Sequence, residues 1–321
     1  MAQPSEATPP DPPSDVLSPL AAWSDAVAAI VQRAGASVVA VQTGRHDVAA
    51  GVLWRSGCLV TVAHPLRRMQ GIPVLLPDGR RVSADLAGHD GATDLAVLRL
   101  ADPAAGLQPI VIGDAGGVQT GHWVVAVARS LDGDLSASQG IVGRAGGAWR
   151  TWRGGRLDRL IRLDGGLYGG FSGAPVLDAR GHAIGIATSA LSRSAGIVIP
   201  GSTVQRVADE LLAKGRVARG YLGVGTQTVA LPGHVAQAQR LEDPQGLLIT
   251  SVAEDSPAAQ AGMLIGDVLL ELAGQRTRDI DDLQSALYGD RVGQRIPAVV
   301  LRGGKRQELT VTVGERPRAH C

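Results

Sequence analysis

Between residues 37 and 200 the apolar positions fall into short runs, alternating or β-branched, and each run stops at Gly, Asp or Pro. SVVAVQTG, AAGVLW, CLVTVAH, PVLLPDG, RVSADLAG, LAVLRL, WVVAVA, GIVGRAG, APVLDARG and HAIGIATS are of this kind. Short runs separated by turn residues predict the strands of a barrel or sandwich. PDG at 77–79 and LDARG at 177–181 are turns with a mechanism, because Asp and Gly tolerate the positive φ of tight hairpins. Two stretches have helical spacing instead. Ser24 is placed to cap a helix through AVAAIVQRAG that ends at Gly35, and STVQRVADELLAKG at 202–215 is amphipathic and closes at Gly215. A second β-rich unit runs from about 219 to 315, with its own apolar set and turns. It opens on GYLGVGTQ and continues through GLLITSV, the short helical element SPAAQAGM and the strand DVLLELAG. A helix over DIDDLQSALYG then precedes the final pair IPAVVLRGG and QELTVTV. Residues 1–18, rich in Pro, Ser and Asp, read as a disordered tail. The expected organisation is that tail, a first domain over 19–216, a second over 219–315 and a C-terminal tail over 316–321.

Composition sharpens this picture. The 321 residues include 43 glycines but only 3% aromatics, so valine, alanine and leucine must fill the core. Thirty-one basic residues nearly cancel 30 acidic ones, and nothing predicts the clustered basic face of a nucleic-acid partner. No apolar run reaches the ~18–20 residues of a membrane span. The start, MAQPSEATPPDPPSD, lacks the basic and apolar regions of an export signal. As written the chain is expected in the cytoplasm, and in the periplasm if a further segment precedes it. Cys58 lies in an apolar run and Cys321 is terminal, so no disulfide is expected. There is no H-E-x-x-H and no phosphate loop, and no metal or other cofactor is expected.

The candidate chemistry is nucleophilic. Cleaving a peptide bond at neutral pH needs a nucleophile, a base that takes its proton, and donors for the developing oxyanion. Ser172 sits in GGFSGAP, between small residues that let the backbone bend and leave the hydroxyl exposed. The amides of Gly170 and Ser172 are the expected oxyanion donors. His64 ends the apolar run LVTVAHPL, and Asp94 precedes the strand in ATDLAVLRL. The chain order His, Asp, Ser is that of the chymotrypsin-like arrangement and differs from those of hydrolase and subtilisin folds. Each piece alone is ordinary; the order within one β-rich block is what points to a triad.

The same stretches resemble the HtrA/Deg family, a trypsin-like protease followed by a PDZ domain. The likeness runs through LVTVAHPL, LPDGRRVSADLAGHDGATDLAVLRL, SQGIVG and RLDGGLYGGFSGAPVLDARGHAIGIATSA, then AGIVIPGSTVQRVADELLAKGRVARGYLGV and SPAAQAGMLIGDVLLELAGQ. It implies a mostly β fold, with a double β-barrel protease over 19–216 and a PDZ domain over 219–315. It also implies that Leu167 helps line the specificity pocket, favouring a small or medium apolar side chain. Tyr221, Leu222, Gly223 and Val224 match the PDZ carboxylate-binding loop, whose amides receive a peptide C-terminus while the peptide adds as a strand. The helix carrying Leu283 and Leu287 would form the groove's other wall. Members of the family usually form trimers, so the expected partners are unfolded proteins, C-terminal peptides and two further copies of the chain.

The resemblance has gaps. Phe171 and Ala174 stand where the family has asparagine and glycine, and Ala63 and Pro65 where it favours asparagine and valine. Phe171 either packs beneath the nucleophile loop or, by removing a polar anchor, loosens it. Two functions follow. One is a serine endopeptidase of unfolded or damaged proteins whose activity falls in acid, because protonated His64 cannot accept the serine proton. The other is a weakly active protease-like chaperone or adaptor that binds peptides through its PDZ groove.

Overall fold

The alternating runs of the first block close into two antiparallel barrels of six strands each. The structure is a computed structural model that describes residues 14–67, 70–101, 107–239, 241, 243–288 and 291–315. The first barrel contains β1 (Val38–Gln42), β2 (Val48–Arg55), β3 (Cys58–Val62), β4 (Ile72–Leu75), β5 (Arg81–Asp90) and β6 (Leu95–Leu100), in the order β1-β2-β3-β6-β5-β4. The second contains β7 (Trp123–Arg129), β8 (Leu135–Gly146), β11 (Leu160–Leu163), β12 (Pro175–Leu177), β13 (Ala183–Thr188) and β14 (Ile197–Pro200), in the order β11-β14-β13-β12-β7-β8. A small hairpin, β9 (Trp149–Arg150) with β10 (Arg156–Leu157), stands between β8 and β11.

β1, β3, β6, β7 and β13 read as nearly continuous apolar runs because both of their faces are buried. Successive side chains of a strand point to opposite faces. On β7, Val124, Ala126 and Ala128 fill the second barrel with Val142, Ile161 and Ile184, while Val125 and Val127 turn outward. There they meet Val38, Val52, Val60, Leu95 and Val97 of the first barrel. The two barrels therefore share an apolar seam, and the seam's rim is where residues from both can meet.

Two helices cover the seam, α1 (Ser14–Gly35) and α2 (Gly201–Lys214). The second ends as its sequence predicts, with Gly215 at φ 71° donating its amide to the carbonyl of Leu211. The first is longer than expected. Residues 14–18, read as part of the tail, belong to α1, and Ser24 lies inside the helix rather than capping it. The apolar stripe of Val27, Ile30, Val31 and Ala34 continues back to Trp23, whose ring meets Trp123 edge-on at 6.1 Å. Pro19 forfeits one hydrogen bond without ending the helix. The rest of the expected tail, residues 1–13, lies outside the described residues, as do 316–321.

Arg129 fastens α1 to the barrels. It is 7% exposed, and it donates to the carbonyls of Val38 (2.9 Å), Gly133 (2.6 Å) and Gly35 (2.8 Å). Gly35 closes the helix, so with this last bond the guanidinium meets a carbonyl at the negative end of the helix dipole. Cys58 is a free, fully buried thiol whose pKa burial pushes up, and Cys321 lies outside the described residues.

Contacts divide the chain into two units, residues 1–217 and 218–321. The second unit holds β15 (Gly220–Tyr221), β16 (Val224–Ala230), α3 (Gly233–Ala238), β17 (Gln245–Val252), α4 (Pro257–Gln260) and β18 (Val268–Leu272). It continues with β19 (Gln275–Arg276), α5 (Ile280–Ala286), β20 (Arg295–Arg302), β21 (Lys305–Thr312) and β22 (Gly314–Glu315). The main sheet runs β16-β17-β18-β20-β21, and β15 pairs with β22. Ser256 caps α4, with Pro257 following at the first helical position, and Asp279 caps α5 through the Asp282 amide at 2.8 Å.

Asp267, 1% exposed, receives Arg302 through Nε at 2.8 Å and a terminal nitrogen at 2.7 Å, and the Leu264 amide at 2.9 Å. Burial pushes this carboxyl upward, but the Arg302 and Leu264 hydrogen bonds outweigh it and hold it below its ordinary value. A carboxyl depressed in the folded state contributes stability above its unfolded pKa of ~3.9, and that contribution is lost as the pH falls towards the lower folded value. Asp267→Asn should therefore destabilise the second unit by about 2–3 kcal/mol near neutral pH. Thermal melts should show that difference shrinking below about pH 4; a gap of equal size at pH 7 and pH 3 would contradict the ionic role.

Candidate active site

One strand ladder brings His64 and Asp94 together. β3 and β6 pair through Val62 and Leu95, so His64, two residues past one end, faces Asp94, one residue before the other. The Ala63 amide donates to the Asp94 carbonyl at 3.0 Å, and the His64 amide donates to Asp94 Oδ1 at 2.9 Å. His64 Nδ1 lies 2.9 Å from Asp94 Oδ2. An ionised carboxylate can only accept, so this contact assigns the ring proton to Nδ1 and leaves the lone pair on Nε2.

Asp94 has no exposed surface, and both of its carboxylate oxygens accept hydrogen bonds. Besides the two contacts from His64, the Thr188 hydroxyl donates to Oδ2 at 2.5 Å. The backbone of Asp94 is in the left-handed region, at φ 60°, which is uncommon outside glycine. The loop before it is clamped. Asp90 accepts from the amides of Ala92 and Thr93 and from the Thr93 hydroxyl, and Thr151 of the β9–β10 turn donates to the Ala92 carbonyl at 2.7 Å. Such a conformation persists where neighbours over-determine it, as they do here.

Ser172 lies between β11 and β12, on a loop stitched to both barrels. Its carbonyl accepts from the Ala50 amide of β2 at 2.9 Å, and the next amide, Gly173, donates to Ala187 of β13 at 2.8 Å. Gly173 has φ 92°, and a Cβ there would lie 2.0 Å from the Ala50 carbonyl oxygen, so only glycine fits. Before the serine, the Phe171 amide donates to the Tyr168 carbonyl at 3.2 Å, and Gly170 takes φ 85°. Those are the marks of a type II turn, which sets the direction of the Gly170 N–H. Among the described residues the amides of Gly170 and Ser172 donate to no acceptor in the chain. They are two unspent donors beside one hydroxyl.

The three residues thus gather at the rim of the seam, two from the first barrel and one from the second. Ser172 is not hydrogen-bonded to His64. Its Oγ lies 3.1 Å from Ser189 Oγ and accepts from the Ser189 amide at 3.3 Å. Thr188 and Ser189, consecutive at the end of β13, therefore hold Asp94 and Ser172 respectively. Sequence reasoning missed both residues, and the only signal for Thr188 is a hydroxyl ending the otherwise apolar run AIGIAT.

Phe171 is 6% exposed and packs with Ala50, Val118 and Ala174, its ring edge-on to Tyr168 at 6.4 Å. It takes the first of its two expected roles, packing beneath the loop. Ala174 is fully buried, and Leu167, half-buried, packs against the same cluster. In the second unit Leu222 and Gly223 lie between β15 and β16, and among the described residues neither amide donates within the chain. Gly223 has φ 82°, Val224 begins β16 and Tyr221 ends β15. Leu283 lies on α5, but Leu287 is the residue that ends it, and both are buried with Leu222 in the unit's core. Leu283 is 5% and Leu287 9% exposed, which leaves little of either side chain for a groove. Among the described residues no group of three His, Cys, Asp or Glu side chains is placed to hold a metal, and no helix is long and apolar enough to cross a membrane.

A buried carboxylate, an oriented imidazole with a free lone pair, a loop hydroxyl and two unspent amides are the parts needed for acyl transfer. Comparison with known proteins agrees. Residues 49–186 match the trypsin-like peptidase domain family, and 220–313 match the PDZ domain family. A probable periplasmic serine endoprotease, DegP-like, of Brucella suis is 34% identical over 271 residues, covering 83% of this chain and 52% of that protein. Its counterpart in Halomonas elongata is 33% identical over 279 residues, 85% of this chain and 57% of its own length. The chain thus spans about half the length of these curated relatives. Among solved structures, the HtrA-type protease AlgW with a tripeptide superposes with TM-score 0.73 at 31% identity, over 92% of this chain and 98% of that one. The serine endoprotease from Yersinia pestis superposes with TM-score 0.72 at 26% identity over the same shares.

Proposed function

The chain belongs to the HtrA-type proteases, a trypsin-like peptidase domain followed by one PDZ domain, and from that premise we propose that it is a serine endopeptidase of unfolded or damaged protein segments. The observation that carries this reading is the buried Asp94 carboxylate, which spends its lone pairs on His64 and Thr188 and so leaves His64 Nε2 as a base. In the reaction Ser172 Oγ attacks the scissile carbonyl, His64 takes its proton, and the amides of Gly170 and Ser172 receive the oxyanion. His64 then protonates the leaving amine, and water repeats the sequence on the acyl-enzyme. A free enzyme with its serine turned from the base is compatible with this, because catalytic hydrogen bonds often tighten only with substrate bound.

The packing of Phe171 favours the protease over the inert scaffold. The aromatic ring fills the core beneath the loop, the type II turn is kept, and both oxyanion donors stay unspent. Leu167 is proposed to line the specificity pocket, with small or medium apolar side chains preferred. A trimer assembled through the protease domain is proposed on the family resemblance. The periplasmic names of the relatives favour the envelope as the working compartment. Purified chain should cut casein into fragments without ATP. Uncut casein beside a well-folded chain would oppose the reading.

The second unit is proposed to take peptide C-termini, the carboxylate resting on the amides of Leu222 and Gly223 with Val224 beginning the strand that the peptide extends. The unspent state of the first two amides supports it. Peptides ending in an apolar residue should bind the full chain, and amidating that terminus should weaken binding by about 10- to 100-fold, because it removes the charge the amides receive. Equal affinities for free-acid and amidated peptides in a calorimetric titration would show that the loop is no carboxylate site.

A further inference from the structure

The nucleophile has a partner that the reaction does not use. In the triad mechanism Ser172 Oγ must give its proton to His64 Nε2, yet in the free chain that hydroxyl faces Ser189, 3.1 Å from its Oγ and 3.3 Å from its amide. Both residues are on well-anchored backbone. Ser172 is held by Ala50 and its neighbour Gly173 by Ala187, while Ser189 follows Thr188, itself fixed on buried Asp94. The contact is therefore decided by side-chain rotation. Ser189 is exposed and belongs to no core cluster, so packing does not account for its hydroxyl.

We propose that Ser189 is a positioning residue that parks the Ser172 hydroxyl in a resting rotamer away from His64, so that the free enzyme is held below its full reactivity. This rests on the protease reading and deepens it. In this rotamer Oγ is engaged by Ser189 and makes no hydrogen bond to His64, so every parked molecule lacks the bond along which the proton must leave. A substrate carbonyl over the two unspent amides shifts the balance, because only the rotamer facing His64 attacks it. No covalent step is involved; a rotation about χ1 of Ser172 exchanges one hydrogen bond for another. The Ser189 amide remains a donor in any non-proline variant, so removing the hydroxyl weakens the parking without abolishing it.

The test is the rate at which a fluorophosphonate labels Ser172 in the full chain, compared between wild type, Ser189→Ala and Ser189→Thr. In labelling, Ser172 Oγ displaces fluoride from phosphorus and His64 takes the proton. Losing one neutral hydroxyl–hydroxyl bond should raise the rate for Ser189→Ala about three- to tenfold. Ser189→Thr, which keeps a hydroxyl, should label near the wild-type rate. On a peptide substrate the gain should appear in kcat with KM little changed, and the melting temperature should not move. A structural role would instead lower stability and activity together in Ser189→Ala. Ser172-dependent labelling at the same or a lower rate in Ser189→Ala overturns the parking role while leaving the protease reading intact. No Ser172-dependent labelling in any of the three chains overturns both.

Discussion

Replacing Ser172 with alanine should lower peptide hydrolysis by about 10⁶-fold in kcat while leaving the fold unchanged. In the proposed mechanism the hydroxyl supplies the bond-forming oxygen. Its removal also costs little structure. The Ser172 backbone bonds with Ala50, the Gly173 bond with Ala187 and the type II turn before them are all made by main-chain atoms. The side chain's own partner, Ser189, is exposed. Casein cleavage followed over hours, with melting curves beside it, measures both halves of the expectation. Undiminished cleavage by the alanine variant would remove Ser172 from the mechanism.

Asp94→Asn should cost about 10⁴-fold in kcat, and the geometry says why a near-isosteric change is so damaging. Three donors converge on the carboxylate: the His64 amide on Oδ1, and His64 Nδ1 with the Thr188 hydroxyl on Oδ2. An amide side chain has one oxygen and one NH2, so either orientation turns donors against a donor. With nitrogen at the Oδ2 position, His64 can relieve the conflict only by moving its proton to Nε2, and it then no longer accepts from Ser172. With nitrogen at the Oδ1 position, it opposes the His64 amide and disturbs the turn that carries the ring. The buried site admits no obvious compensating water, since Asp94 has no exposed surface. A pH–rate profile is the discriminating measurement. Part of the lost activity should return in alkaline solution, where hydroxide can take the Ser172 proton in place of His64, whereas simple unfolding gives no such recovery.

The residues of the proposed triad could be picked from the sequence because each sits where the strand pattern changes. His64 follows an apolar run, Asp94 precedes one and Ser172 lies in a glycine-rich loop before another, so all three stand off the strands, where side chains reach a rim. The two-barrel fold was legible for a related reason. Burial on both faces makes β1, β3, β6, β7 and β13 read as apolar blocks. Where burial is one-sided the signal fades. The first half of β8, LSASQ, is mostly exposed and was not expected as a strand, and the short β11 was missed for the same lack of contrast.

What surrounds the triad was not legible, because it is made by contacts far apart in the chain. Thr188 reaches Asp94 across 94 residues, and Ser189 reaches Ser172 across a turn of the second barrel. Neither position has a local pattern that separates it from an ordinary strand-end hydroxyl. The left-handed backbone of Asp94 is likewise invisible in ATDLAVL, since it is imposed by the Asp90 and Thr151 clamps. In the second unit the family resemblance put Leu283 and Leu287 on the apolar face of a helix. Spacing cannot say whether such a face serves a groove or the core, and the core takes most of both side chains.

The central claim is that Ser172 is a nucleophile activated by His64 on Asp94, and locating a mechanism-based adduct tests it most directly. The folded full chain would be incubated with a fluorophosphonate at neutral pH, digested and mapped by mass spectrometry, beside His64→Ala treated in the same way. The account predicts a single adduct on the peptide containing Ser172 in the wild type, and nearly none in the His64 variant. An adduct on another serine, no adduct on folded protein, or equal labelling without His64 would contradict it.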